Sequence, residues 1–215
     1  MRETSMLSLP DTLLLFALHD DKGTVHPSAF LALDHALRGA MLGELRLRGC
    51  VKTWRSSRIE LTDRGAGDDL LDHALEILRA ALPPKPGVLD AMTALAGGLP
   101  DLRARVILRL ESAGILVSAD KERVLLPGTK THPMTDATME AAALGDMRSA
   151  LDDEAELTPR RGALLALVEA CGLVDVLFDP DERAAAAATA TLVRRRDAIA
   201  EAVQEAVERT AGLWE

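Results

Sequence analysis

The chain has 215 residues, 48% hydrophobic and 27% charged, the make-up of one globular domain, or two small ones, with a real core. With 34 acidic against 25 basic residues the net charge is −9, which excludes a generally basic nucleic-acid coat but not a local basic patch. No apolar run reaches the roughly 18–20 residues of a membrane-spanning helix, and Met1–Met6 carries no signal-peptide pattern, so a cytoplasmic chain is expected.

Helical periodicity dominates from the start. Leu9-Pro10-Asp11 opens a short helix through Leu18, with proline in the first turn where its missing N–H costs nothing. Asp20–Gly23 reads as a turn. Pro27 starts a second helix, with Phe30, Leu31, Leu33, Leu37, Met41, Leu42 and Leu45 at helical spacing, closed by a left-handed Gly49. Val51–Trp54 and Arg58–Leu61 read as two short strands. Helix returns over Gly67–Leu82, stopped by the stiff Pro83-Pro84-Lys85-Pro86 connector. Val88–Ala96 and Leu102–Ala113 are the next helices, the second closed by Gly114. Ile115–Ser118 and Arg123–Leu126 pattern as a second hairpin, followed by a loop over Gly128–Pro133. Thr135–Leu151 and Pro159–Cys171 are helical, and a last long helix is expected from about Pro180 to Arg209. Its Ala184–Ala188 run is predicted to pack close against a neighbour, because alanine has high helix propensity and little volume. The fold class expected is mainly α: one domain over 7–215 behind a short tail at 1–6, with a helical-bundle core, surrounding amphipathic helices and one or two β-hairpins.

Nothing in the pattern supports an enzyme. The five histidines show no i, i+4 ligand pair and none adjoins a cysteine, which argues against zinc; no metal or cofactor is expected. There is no GxSxG, no phosphate loop ending in GK[ST] and no GxGxxG after a strand. Asp68-Asp69 and Asp152-Asp153-Glu154 lie at helix ends, where carboxylates cap or favour the dipole. Cys50 and Cys171 stand far apart among apolar residues and read as buried free thiols of a reducing compartment. Aromatics are scarce (no Tyr, three Phe, two Trp), so Leu, Ala and Val must build the core. Arginine far outnumbers lysine; with the alanine richness this points to a GC-rich, bacterial coding sequence.

Charge is uneven. From Arg38 to Arg64 seven basic residues (Arg38, Arg46, Arg48, Lys52, Arg55, Arg58, Arg64) face three acidic ones (Glu44, Glu60, Asp63), while Asp136–Glu156 is acidic. Arginine suits phosphate because its planar fork donates two parallel hydrogen bonds. The helix–glycine–strand order recurs at Leu45–Val51 and Leu108–Leu116, and a helix followed by a hairpin also ends a winged-helix module. A phosphoinositide or anionic-membrane site would use such arginines, and two alternatives stand beside it: a winged-helix-like DNA-binding regulator using Arg46–Arg58, and a soluble protein–protein scaffold docking through Asp136–Glu156.

Ordered blocks carry a resemblance. Leu7–Leu15, His19–Gly23, Leu37–Gly49, Asp69–Leu75, Thr131–Thr135, Arg160–Leu167 and Asp175–Leu177 together resemble the Golgi phosphoprotein 3 family across nearly the whole chain. The resemblance implies a helical domain with a protruding β-hairpin. It implies a non-enzymatic peripheral membrane adaptor on the cytosolic face. Such a protein would bind phosphatidylinositol 4-phosphate or another anionic lipid head group, hold cytoplasmic tails of membrane proteins, and take no nucleic acid. Self-association through the Ile115–Leu126 hairpin is implied as well. The family's lipid pocket uses a tryptophan, an arginine of an LRG motif and two later basic residues. Here the LRG arginine is Arg38 and one later basic position is Arg103. The other falls on Pro100 and the tryptophan position on Ala29, with Phe30 beside it. Arg38, Arg103 and Phe30 are the expected head-group residues, with Arg105 as a substitute for the missing charge and Arg109 as a further candidate.

Overall fold

The computed structural model describes residues 7–19, 23–54, 56–117, 138–152 and 157–213. Its first helix, α1 (Leu9–Ala17), is buried on every side and forms the centre of the core. A helix apolar all round has no face to offer water, and six of the nine residues here are Leu, Phe or Ala. Its start is fixed by Ser8, whose backbone N–H and hydroxyl both donate to Asp11 Oδ2 (3.1 and 2.5 Å) at the N-terminus.

A 3-10 turn, Pro27–Ala29, leads into α2 (Leu33–Leu47), so the helix expected from Pro27 begins only after a tighter first turn. Gly49 takes a left-handed φ of 74° and ends the helix as expected. The strands β1 (Val51–Thr53) and β2 (Ile59–Leu61) pair antiparallel, with Val51 opposite Leu61 and Thr53 opposite Ile59. The amphipathic α3 (Asp69–Ala81) follows, capped by Asp68, which accepts from Leu71 N–H at 3.1 Å. Then come α4 (Val88–Gly98), α5 (Leu102–Ser112), α6 (Thr138–Asp152) and α7 (Pro159–Ala170). The short α8 (Val174–Leu177) had no signal in the periodicity. One continuous apolar cluster runs from Leu9 to Val203.

The long terminal helix expected over Pro180–Arg209 is instead two helices, α9 (Arg183–Arg194) and α10 (Ala198–Ala211). The break has a local cause. Asp197 leaves helical geometry and accepts from the N–H groups of Ile199 and Ala200, while Arg46 of α2 grips both its oxygens. Burial raises the Asp197 pKa, but those bonds outweigh it and hold the carboxyl below its ordinary 3.8. The alanine run does pack closely: Ala186 and Ala190 are fully buried, and α9 lies along α7.

Helix α2 is the spine, touching α1, α4, α5, α7 and α10. Gly39 permits the closest approach. A β-carbon there would lie 2.2 Å from Val203 Cγ2 and 3.3 Å from Leu167 Cδ2, so only glycine lets α2, α7 and α10 meet at this distance. Both cysteines are buried free thiols, and burial pushes Cys171 up to about 12, against a small opposing effect of Arg103. No helix among the described residues is long and apolar enough to cross a membrane. The tail over 1–6, most of the second hairpin and the Gly128–Pro133 loop lie outside the described residues.

Candidate functional site

Much of the basic segment from Arg38 to Arg64 is used inside the fold. Arg46 grips Asp197. Arg48 donates to Glu44 Oε1 (3.0 Å) and to the Ala66 carbonyl (2.9 Å). The Arg58 guanidinium lies over the Trp54 ring, 5.9 Å from its centroid. The duplex-binding role read for Arg46–Arg58 therefore loses two of its arginines, Arg46 and Arg48, to carboxylates of the fold, while Lys52, Arg58 and Arg64 stay exposed. In the acidic stretch, Asp146 of α6 pairs with Arg161 at 2.5 Å, and the ends of that stretch lie outside the described residues.

Arg38 is different. It is half-buried, its Nε is fully desolvated without a hydrogen-bond partner, and its side chain makes no hydrogen bond among the described residues. Burial lowers its pKa from the ordinary arginine value, opposed by the charge of Asp34; a guanidinium is still protonated at neutral pH. Asp34 sits one turn earlier on α2, the i, i+4 spacing that places two side chains on one face. Side chains on a helix lean towards its N-terminus, so Arg38 reaches over the turn that carries Asp34.

From α5, Arg103 arrives at the same carboxylate. Its Nε donates to Asp34 Oδ1 at 3.0 Å, and its Nη2 lies 2.9 Å from the same oxygen as an ion pair. The carboxylate that Arg103 holds is thus the one whose charge acts on Arg38. His35, the next residue, places Nε2 2.9 Å from Thr210 Oγ1. Burial lowers its pKa from 6.5 and Arg38 lowers it further, with Asp34 opposing, so the ring is neutral at pH 7.

The same stripe of α2 and its lead-in continues to Phe30 and Leu31, which are 63% and 48% exposed. Both are large apolar side chains standing in water a turn ahead of the charged cluster. Ala29, where the family carries tryptophan, is fully buried and supplies no ring.

Arg105 does not join this place. Two residues beyond Arg103 on a helix is a rotation of about 200°, which turns it to another face. There it pairs with Asp101 at 2.9 Å and borders a hollow with Asp68, Asp69 and His73. Arg109 is no substitute either, because it is held by Asp11, Asp68 and Ser8. Of the expected set, Phe30 and Arg38 lie on α2 and its lead-in and Arg103 on α5, with Leu31, His35 and Asp34 beside them. The sequence signal for Asp34 was its i, i+4 spacing to Arg38.

Arg38 and Arg103 thus share the charge of Asp34, while Phe30 and Leu31 stand exposed on the lead-in to α2. Residues 9–210 match the Golgi phosphoprotein 3 family, and the chain belongs to that family, one of non-enzymatic adaptors. No curated individual protein matches the chain.

Proposed function

We propose that this chain is a peripheral membrane adaptor on the cytosolic membrane face, binding an anionic phosphorylated lipid head group of the phosphatidylinositol 4-phosphate type between Arg38 and Arg103. One observation carries it: Arg38 is a half-buried guanidinium with no hydrogen bond of its own, and Asp34, the carboxylate whose charge acts on it, is also the partner of Arg103. A buried unpaired charge is costly, and a phosphate supplies the missing acceptors. Phe30 and Leu31 dip into the head-group layer, each contributing about 1.5–3 kcal/mol if fully buried. Nothing is transformed; the bound surface serves to recruit cytoplasmic tails of membrane proteins.

Co-sedimentation with vesicles tests this. Phosphatidylcholine vesicles containing phosphatidylinositol 4-phosphate recover the protein and pure phosphatidylcholine vesicles do not. Recovery falls as salt rises, since exposed charges are screened. Losing a charge-assisted contact worth about 1.5–3 kcal/mol makes Arg38→Ala about tenfold weaker or more. Equal recovery on both vesicles, or an unaffected Arg38→Ala, contradicts the proposal.

A further inference from the structure

The two arginines of the proposed site are not empty-handed, because Asp34 already occupies one of them. A single oxygen, Oδ1, accepts from Nε of Arg103 and stands 2.9 Å from its Nη2, two nitrogens whose N–H groups a phosphate would use. Its attachment differs from that of the other arginine-bound carboxylates in the core. Glu44 also accepts from Leu9 N–H, Asp11 from Ser8 N–H, and Asp197 from Ile199 and Ala200 N–H. Those carboxylates are fixed by the main chain as well as by an arginine. Asp34 accepts no main-chain hydrogen bond among the described residues, and its side chain is 54% exposed. Its one hydrogen-bonded partner sits on a different helix, so letting go of Arg103 disturbs neither α2 nor α5.

We propose that Asp34 is an autoinhibitory counter-ion: it holds Arg103 while the site is empty and must release it before an anionic head group can take both arginines. The inference rests on the head-group reading above and adds a threshold to it. An exposed arginine–carboxylate pair is weak, so a phosphomonoester with close to two negative charges displaces it. The pair still lowers apparent affinity, because only the fraction of molecules with Arg103 released is competent to bind. After release, the Asp34 carboxylate stays on the same helix face as Arg38 and repels the incoming phosphate.

The experiment is flotation with phosphatidylcholine vesicles with and without phosphatidylinositol 4-phosphate, comparing the full chain with Asp34→Asn. The expected result is about three- to tenfold tighter binding of the variant to the phosphoinositide vesicles alone. The gain disappears when Arg103→Gln is the background, as coupled residues require. Asp101→Asn, which frees Arg105 outside the site, leaves binding unchanged. Asp34→Ser repeats the gain, and an unchanged helical circular-dichroism spectrum shows that both variants fold. Binding by the variant where the natural chain fails to bind also supports the inference, as the extreme of the same effect. If the natural chain binds through Arg38 but Asp34→Asn binds no more tightly, or gains equally on phosphatidylcholine alone, the counter-ion role is overturned and the head-group site stands. If neither chain binds phosphoinositide vesicles, both are overturned.

Discussion

Helix α2 carries two arginine–carboxylate clusters that differ in one respect. Around Glu44 every acceptor is used: Arg48 and Arg160 donate to it from two sides, Leu9 N–H from a third, and the carboxylate is 2% exposed. Around Asp34 the carboxylate stands in water, one arginine holds it, and a second guanidinium has no hydrogen bond. The first cluster is closed and ties α1, α2 and α7 together. The second has unspent donors and so can still bind something. Arginine count alone does not distinguish them; the inventory of donors and acceptors does.

The largest effect should come from breaking the closed cluster. Glu44→Ala leaves two arginines and a buried N–H without their acceptor and is expected to cost about 3 kcal/mol or more, read from urea unfolding. The same cluster sets the acid limb of stability. Burial pushes the Glu44 pKa up, but the bonds from Arg160, Leu9 and Arg48 outweigh it and hold the carboxyl below its ordinary 4.5. A depressed folded-state pKa stabilises the fold above the unfolded value and loses that contribution as pH falls through the folded one. Unfolding midpoints measured from pH 7 downward should therefore hold until about 4.5 and then decline, and Glu44→Gln should flatten that decline.

Next in size is Gly39→Ala. The added methyl meets a β-branched side chain that cannot swing away, so a loss of about 1–3 kcal/mol is expected despite alanine's better helix propensity. The open cluster responds in the reverse manner. Arg38→Ala should change stability by less than about 1 kcal/mol while abolishing most phosphoinositide binding, a separation the Glu44 variants cannot show. The smallest effect is at Gly97, where a β-carbon would touch nothing within 4 Å. Gly97→Ala should stabilise by about 0.5 kcal/mol in thermal unfolding, and if it does not, the contrast with Gly39 is not one of space.

The helices were legible because leucines recur on one stripe, as in α3, and because Gly49 and Gly114 end their helices where a left-handed residue was needed. The split between α9 and α10 was not legible. Asp197 reads as one more polar residue in a helical run until Arg46, far away in sequence, is seen to hold it. The site shows the same division. Arg38 and Arg103 could be named from the chain. The turning away of Arg105 follows from its position on α5, whereas the pairing of Arg103 with Asp34 depends on how α2 and α5 pack, which periodicity does not encode. Local signals carry local structure; the use of each charge is decided by tertiary packing.

The most direct measurement is nuclear magnetic resonance of the arginine side-chain N–H groups during titration with soluble glycerophosphoinositol 4-phosphate. Signals of Arg38 and Arg103 should move together and saturate, while those of Arg46, Arg48 and Arg105 stay in place. Movement confined to Arg105, or no movement at Arg38 at saturating head group, would contradict the proposed head-group site.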